Sequence, residues 1–125
     1  MITGLLDSSL LIDSLRAYTP AVLWLSSQPD LGVSQTVVLE LLQGAKDKPE
    51  QARTLRMLNQ FAYIEVTSLD FDWAISQLKI YKLSHNLDGF DCLIASTAFR
   101  LQVPLYTRNL KHFAPMLGGL AQQPY

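Results

Sequence analysis

The chain has 125 residues, 49% of them hydrophobic, and a formal net charge of −1, so one domain of residues 1–125 can bury a core without disulfides. Its single cysteine, Cys92, cannot pair within the chain, which favours a reducing cytoplasm over secretion. The near-neutral charge excludes a large basic field for nucleic acid but leaves room for a local basic patch.

The start of the chain predicts a strand followed by a helix. The N-terminus has no basic region and no long apolar run, so we expect a strand over residues 2–6 and neither a signal peptide nor a membrane span. The leucines that follow have helical spacing, and we expect Ser8 or Ser9 to cap this helix. Asp7 is then free at the carboxyl end of the strand, where open α/β sheets bind their ligands.

The next segments predict two helices with a strand between them. One helix follows Pro20 and ends before Pro29, and residues 31–34 predict the strand. The second helix covers residues 35–43 and contains Glu40, a lone charge among valines and leucines. Such a carboxylate either faces solvent on the outer side of the helix or points toward the strand ends, where burial requires a partner or a metal.

The rest of the chain continues the alternation of strands and helices. The predicted elements are a helix over 50–60, a strand over 62–66, a helix over 68–83, a helix over 91–99, a strand over 103–106 and an edge strand near the C-terminus. We expect Asp70 or Asp72 to cap the long helix. The alternation predicts a three-layer α/β/α domain with a mainly parallel sheet of four to five strands.

Asp91 opens a helix that is otherwise built for burial. Apolar side chains recur at helical spacing after it, and the small residues 95–98 allow close packing. A carboxylate in the first turn of such a helix is either a cap that complements the helix dipole or a metal ligand at the rim of a core.

Three acids occupy equivalent positions in the predicted fold. Asp7, Glu40 and Asp91 each follow a strand or lie near the start of a helix, and Asn109 adds a fourth polar group after the strand over 103–106. In a parallel sheet these positions converge on one edge. Oxygen ligands without His or Cys are typical of Mg²⁺ or Mn²⁺ sites, and a cation also relieves the repulsion between neighbouring carboxylates.

Four segments in this order resemble the PIN-domain family, and specifically its VapC-like toxin branch. The segments are LDSSLLID at 6–13, ELLQGA at 40–45, DCLIASTA at 91–98 and TRNLKHF at 107–113. The resemblance implies a ribonuclease, the toxin of a toxin–antitoxin pair, that hydrolyses RNA with Asp7, Glu40 and Asp91 as catalytic ligands of Mg²⁺ or Mn²⁺. It also implies a small antitoxin that blocks the site.

One position departs from the family pattern. Many members carry an aspartate where this chain has Asn109, so we expect one tightly bound cation and a second that binds weakly. The alternative for Asn109 is a cap of the short helix that contains His112.

The remaining expectations concern supporting residues and partners. Ser9 and Thr107 are expected to hydrogen-bond metal ligands, with helix capping as the alternative. Arg108 and Lys111 are expected to contact RNA phosphates, with solvated charges as the alternative. The apolar residues 37–42 suggest a homodimer.

Two other classes of protein are alternatives to a PIN-like ribonuclease. A flavodoxin-like phosphoacceptor domain needs an acidic pair near the first strand and a lysine at the last strand end, and the chain supplies neither. A catalytically idle module that only binds a protein partner stays open.

Overall fold

A computed structural model of the protein describes residues 1–125, which form five β-strands, seven α-helices and one 3₁₀ helix. The strands are β1 (Gly4–Leu6), β2 (Leu31–Ser34), β3 (Ala62–Ile64), β4 (Leu105–Tyr106) and β5 (Ala121–Gln122). The α-helices are α1 (Ser8–Leu15), α2 (Thr19–Ser27), α3 (Gln35–Gln43), α4 (Lys48–Leu58), α5 (Ser68–His85), α6 (Gly89–Leu101) and α7 (Leu110–Leu117). The 3₁₀ helix, Gly118–Leu120, directly precedes β5.

The five strands form one sheet in the order β3-β2-β1-β4-β5, and every neighbouring pair is parallel. At its centre, Leu5 of β1 is in register with Gly32 of β2 and Leu105 of β4. Strand order reverses beside β1, and open α/β sheets bind ligands beyond the carboxyl ends of the strands at such a point. The predicted α/β fold with a parallel sheet is confirmed, as is the C-terminal edge strand.

The core is a cluster of 20 buried hydrophobic residues contributed by both strands and helices. The centre of the sheet supplies Leu5 and Leu6, and α6 is buried from Ile94 through Ala98. The long helix α5 packs along α6. None of the helices has the length and apolar character that crossing a membrane requires.

The structure corrects the predicted caps of α1 and α5. Asp7, and neither Ser8 nor Ser9, caps α1: one carboxylate oxygen accepts the Ser8 N–H at 2.8 Å. The predicted cap of α5 by Asp70 or Asp72 is also wrong, because Thr67 is the cap residue. Asp70 is the third residue of that helix and accepts the Thr67 N–H at 2.9 Å, which completes a capping box.

The cap of α6 decides between the two interpretations of Asp91. Asp88 has extended backbone and accepts the Phe90 N–H at 2.7 Å, so Asp88 is the N-cap. Asp91 lies inside the first turn, and its carboxylate is not used as the cap. The capping interpretation of Asp91 is therefore wrong.

Several predicted boundaries also differ from the structure. The first strand begins at Gly4, β3 ends at Ile64 and β4 begins at Leu105. The start of β4 follows Pro104, which has no N–H for a strand ladder. The helix predicted over 50–60 spans Lys48–Leu58, because Asp47 caps it and accepts the Glu50 N–H at 2.9 Å.

Candidate functional site

Three acidic side chains from distant parts of the chain lie close to one another beyond the carboxyl end of β1. Asp7 follows β1, Glu40 lies in the second turn of α3, and Asp91 lies in the first turn of α6. After burial, the charge of Asp7 is the largest influence that raises the pKa of both Glu40 and Asp91. The fold brings the three acids together as the sequence predicts, while their metal-binding role stays a prediction.

Asp7 is held by hydroxyl groups from two parts of the chain. Its side chain is buried, and Oδ2 accepts hydrogen bonds from Ser9 Oγ and from Thr107 Oγ1, each at 2.8 Å. The same hydroxyls accept backbone N–H groups, Ser9 from Arg108 at 3.1 Å and Thr107 from Asn109 at 2.9 Å. Ser9 and Thr107 therefore fix the Asp7 carboxylate and tie the segment after β4 to the start of α1.

Glu40 Oε1 is the only buried side-chain oxygen or nitrogen in the structure without a hydrogen-bond partner. Burial, followed by the charges of Asp7 and Asp91, raises the pKa of Glu40 to about 7, and the nearby Ser8 hydroxyl opposes this rise. The interpretation that Glu40 faces solvent on the outer side of α3 is wrong. An unpartnered buried carboxylate is costly unless a proton or a cation neutralises it.

Asp91 is perturbed in the same direction. Burial, followed by the charges of Asp7 and Asp88, raises its pKa to about 6, and His112 opposes the rise. His112 Nδ1 lies 3.6 Å from Asp91 Oδ2. The sequence did not predict that the charge of Asp88 acts on the site. It also did not predict that His112 lies beside Asp91. The spacing of Asp88 three residues before Asp91 was the available signal.

The donor set fits a hard divalent cation, although the ligands are not gathered into an assembled site. No group of three or more His, Cys, Asp or Glu side chains has the geometry of a metal site. The all-oxygen chemistry of the three acids and the unpartnered Oε1 of Glu40 are the features that match Mg²⁺ or Mn²⁺.

Asn109 occupies the N-cap position of α7 without using its side chain as a cap. The His112 N–H donates to the backbone carbonyl of Asn109 at 3.0 Å, so the carbonyl satisfies that group. The interpretation of Asn109 as a side-chain cap is therefore wrong. The side chain is exposed, and its role as a fourth metal ligand stays a prediction.

Arg108 is exposed but already has partners. Its Nη1 lies 2.8 Å from Asp13 Oδ2, and the guanidinium carbon lies 5.5 Å and 5.6 Å from the ring centroids of Tyr18 and Tyr125. Tyr125 also donates its hydroxyl to Asp13 Oδ2 at 2.9 Å. Lys111 is exposed and forms no ion pair. RNA contact by Arg108 or Lys111 stays a prediction, and for Arg108 such contact competes with Asp13.

A family comparison finds that the PIN domain model matches residues 4–114. Ribonuclease VapC19 from Mycobacterium tuberculosis strains CDC 1551 / Oshkosh and ATCC 25618 / H37Rv is 30% identical to this chain over 126 residues. In both cases the alignment covers 97% of this chain and 98% of the relative.

Solved structures with the same fold come from several bacteria. A toxin–antitoxin complex from Klebsiella pneumoniae superposes with a TM-score of 0.81 at 26% identity and covers 98% of each chain. A DNA-bound VapBC from Salmonella typhimurium superposes with a TM-score of 0.78 at 16% identity and covers 100% of each chain. At 16% identity, the second comparison shows only that the two chains share a fold.

Proposed function

Since the chain belongs to the PIN-domain family, we propose that it is a divalent-metal-dependent endoribonuclease and the toxin of a toxin–antitoxin pair. The observation that carries this proposal is the buried, unpartnered Oε1 of Glu40, set among the charges of Asp7 and Asp91. Buried polar groups in folded proteins are normally hydrogen-bonded, and a perturbed carboxylate without a partner is typical of a functional site. Similarity to Ribonuclease VapC19 supports RNA as the substrate.

In this proposal Asp7, Glu40 and Asp91 hold one Mg²⁺ or Mn²⁺. Such an ion, when bound, would supply an acidified water and charge stabilisation for phosphodiester hydrolysis. Ser9 and Thr107 keep the Asp7 oxygens oriented through their hydroxyls.

Asn109 and Lys111 extend the site along the segment after β4. Asn109 would offer an uncharged oxygen to a second, weakly bound ion, and Lys111 would contact RNA phosphate. Arg108 contributes to RNA binding only if its guanidinium leaves Asp13, because the two groups lie 2.8 Å apart.

We also propose a homodimer. Val37 and Leu41 are buried in the core, so the apolar run of α3 is covered by its own chain except at Leu39, which is 55% exposed. Apolar side chains of α5 and α6 instead form what we call the α5–α6 patch, in which Phe71, Ile75 and Phe90 are exposed and Leu78 and Leu93 are half-buried. These five residues line a cavity of about 430 Å³. Phe71 and Ile75 are 51% and 52% exposed, and contiguous apolar surface of this kind commonly marks an interface.

The proposed antitoxin and cytoplasmic location rest on different observations. Solved relatives of this fold include toxin–antitoxin complexes, which supports a protein partner for this chain. The lone Cys92 is buried and unpaired, which supports a reducing compartment.

Mn²⁺ titration followed by incubation with an RNA pool tests the proposed function. We expect Mn²⁺-dependent cleavage by the wild type and a loss of about 100-fold or more in Asp7→Asn, Glu40→Gln and Asp91→Asn. Asp72→Asn and Glu65→Gln are matched controls, because both acids are exposed and lie outside the site. Equal cleavage by the wild type and the three variants would show that the acids are not catalytic, and no cleavage by the wild type would favour the idle binding module.

A further inference from the structure

A polar groove lies between α1, α3 and α4, and the proposed function so far gives it no role. It has a volume of about 410 Å³, and Glu40 is one of its lining residues, so it adjoins the acidic site. Arg16, Lys46 and Arg53 line it as well, and each comes from a different part of the chain. Three basic side chains therefore line the same groove as a candidate catalytic carboxylate.

The charges of this groove are available for a ligand. None of the three basic side chains lies within 4.0 Å of a carboxylate, whereas Arg100 and Arg108 are both paired with aspartates. The groove also contains Glu50, so its charge is mixed but remains positive once Glu40 is assigned to the cation. Ile12, Leu15 and Leu41 give it an apolar wall.

RNA needs a local positive surface on this molecule. The net charge of −1 provides no overall attraction for a polyanion, and the acids at the site repel phosphates. Arg108, the most obvious phosphate contact near Asp7, is held by Asp13 and two tyrosine rings. In addition to Lys111, the groove supplies three cations without ion pairs that share its lining with Glu40, and its apolar wall suits a ribose or a base.

We propose that this groove binds the phosphodiester backbone of single-stranded RNA next to the bond that is cleaved, with Arg16, Lys46 and Arg53 contacting phosphates. The inference rests on the proposed ribonuclease function, because it assigns the path of that enzyme's substrate. It also gives Arg53 and Arg56, which are three residues apart on α4, different roles: Arg53 lines the groove and Arg56 does not.

The test measures RNA binding without cleavage. A fluorescent single-stranded RNA is titrated with the Asp91→Asn protein in EDTA, and with the same protein carrying Arg16→Gln, Lys46→Gln or Arg53→Gln. We expect each groove substitution to raise Kd on the order of fivefold for all sequences and to lower the slope of log Kd against log salt by about 0.7. Arg56→Gln and Lys79→Gln are matched controls that leave both quantities unchanged.

The outcomes separate this inference from the proposed function. Groove variants that bind RNA like the controls overturn the inference, even when the wild type cleaves RNA. Selective loss of RNA binding in the groove variants supports it, even when no cleavage is found. If a poly-glutamate peptide loses affinity in the groove variants while RNA does not, the groove binds an acidic protein segment and the inference is wrong.

Discussion

Glu40 and Asp91 make the stability of the metal-free protein depend on pH in an unusual direction. Folding raises the pKa of Glu40 from 4.5 to about 7 and that of Asp91 from 3.8 to about 6. A carboxyl whose pKa is raised by folding binds more protons in the folded state, so the free energy of unfolding falls as pH rises between the two values. We therefore expect the metal-free Tm to fall between about pH 4.5 and 7.

Thermal unfolding in EDTA across this pH range measures the effect. Glu40→Gln should flatten most of the decline because it removes the group with the higher raised pKa, and Glu65→Gln should not. Saturating Mn²⁺ should restore the wild-type Tm near pH 7.5, because the ion takes the place of the proton. A wild-type Tm that rises steadily from pH 4.5 to 7 would contradict the assignment of these carboxyls as destabilising charges.

Asn109 gives a second prediction at the residue scale. Asn109→Asp adds a negative charge beside the site, and two opposite unit charges 4 Å apart attract by about 4 kcal/mol at an effective dielectric of 20, before desolvation. A fraction of that energy tightens Mn²⁺ binding tenfold and raises the stoichiometry toward two. Asn109→Ala should change the free energy of unfolding by less than about 0.5 kcal/mol, because the side chain makes no capping hydrogen bond. Unchanged Mn²⁺ affinity and stoichiometry in Asn109→Asp would remove Asn109 from the site.

At the scale of elements, Thr107 joins the end of β4 to the start of α1. Its hydroxyl is buried, donates to Asp7 Oδ2 and accepts from the Asn109 N–H. Thr107→Val removes both bonds at nearly constant shape, so we expect a loss of about 1–3 kcal/mol of stability and weaker Mn²⁺ binding. Thr107→Ser keeps the hydroxyl and should retain wild-type Mn²⁺ affinity. Calorimetry and denaturant unfolding check both variants, and equal Mn²⁺ affinity in the valine variant would show that Thr107 only stabilises the fold.

The sequence predicted the order and type of the elements but not the N-caps of α1 and α5. Strands such as β2 are short apolar runs between turn residues, and periodicity identifies them. Caps depend on which of several neighbouring polar side chains reaches the first free N–H groups. Asp7, Ser8 and Ser9 are adjacent, and the long-range bond from Thr107 to Asp7 helps to decide among them. No local pattern carries that information.

The sequence predicted only part of the candidate site, because local patterns locate residues beside strand ends but do not show long-range contacts. Asp7, Glu40 and Asp91 follow from their places beside strand ends in a parallel sheet. The Asp13 partner of Arg108 lies 95 residues away along the chain, and the groove beside Glu40 is formed by three helices. Such contacts depend on how helices pack, which periodicity alone does not determine.

At the scale of the whole molecule, the α5–α6 patch predicts self-association. Ile75→Lys should convert the dimer to a monomer at micromolar concentration, because a lysine in an apolar interface loses hydration without gaining a partner. Ile80→Lys is the matched control: Ile80 is 61% exposed on the same helix but does not line the cavity of the patch. Sedimentation velocity measures the result. A wild type that is monomeric at these concentrations would contradict the homodimer.

The central claim is that Asp7, Glu40 and Asp91 act together as one divalent-cation site, and calorimetric titration of Mn²⁺ tests it most directly. The wild type should bind one Mn²⁺ tightly, and Asp7→Asn, Glu40→Gln and Asp91→Asn should each weaken binding at least tenfold, because each removes a charged oxygen ligand. Asp72→Asn and Glu65→Gln should bind like the wild type. Wild-type Mn²⁺ affinity in all three site variants would contradict the claim.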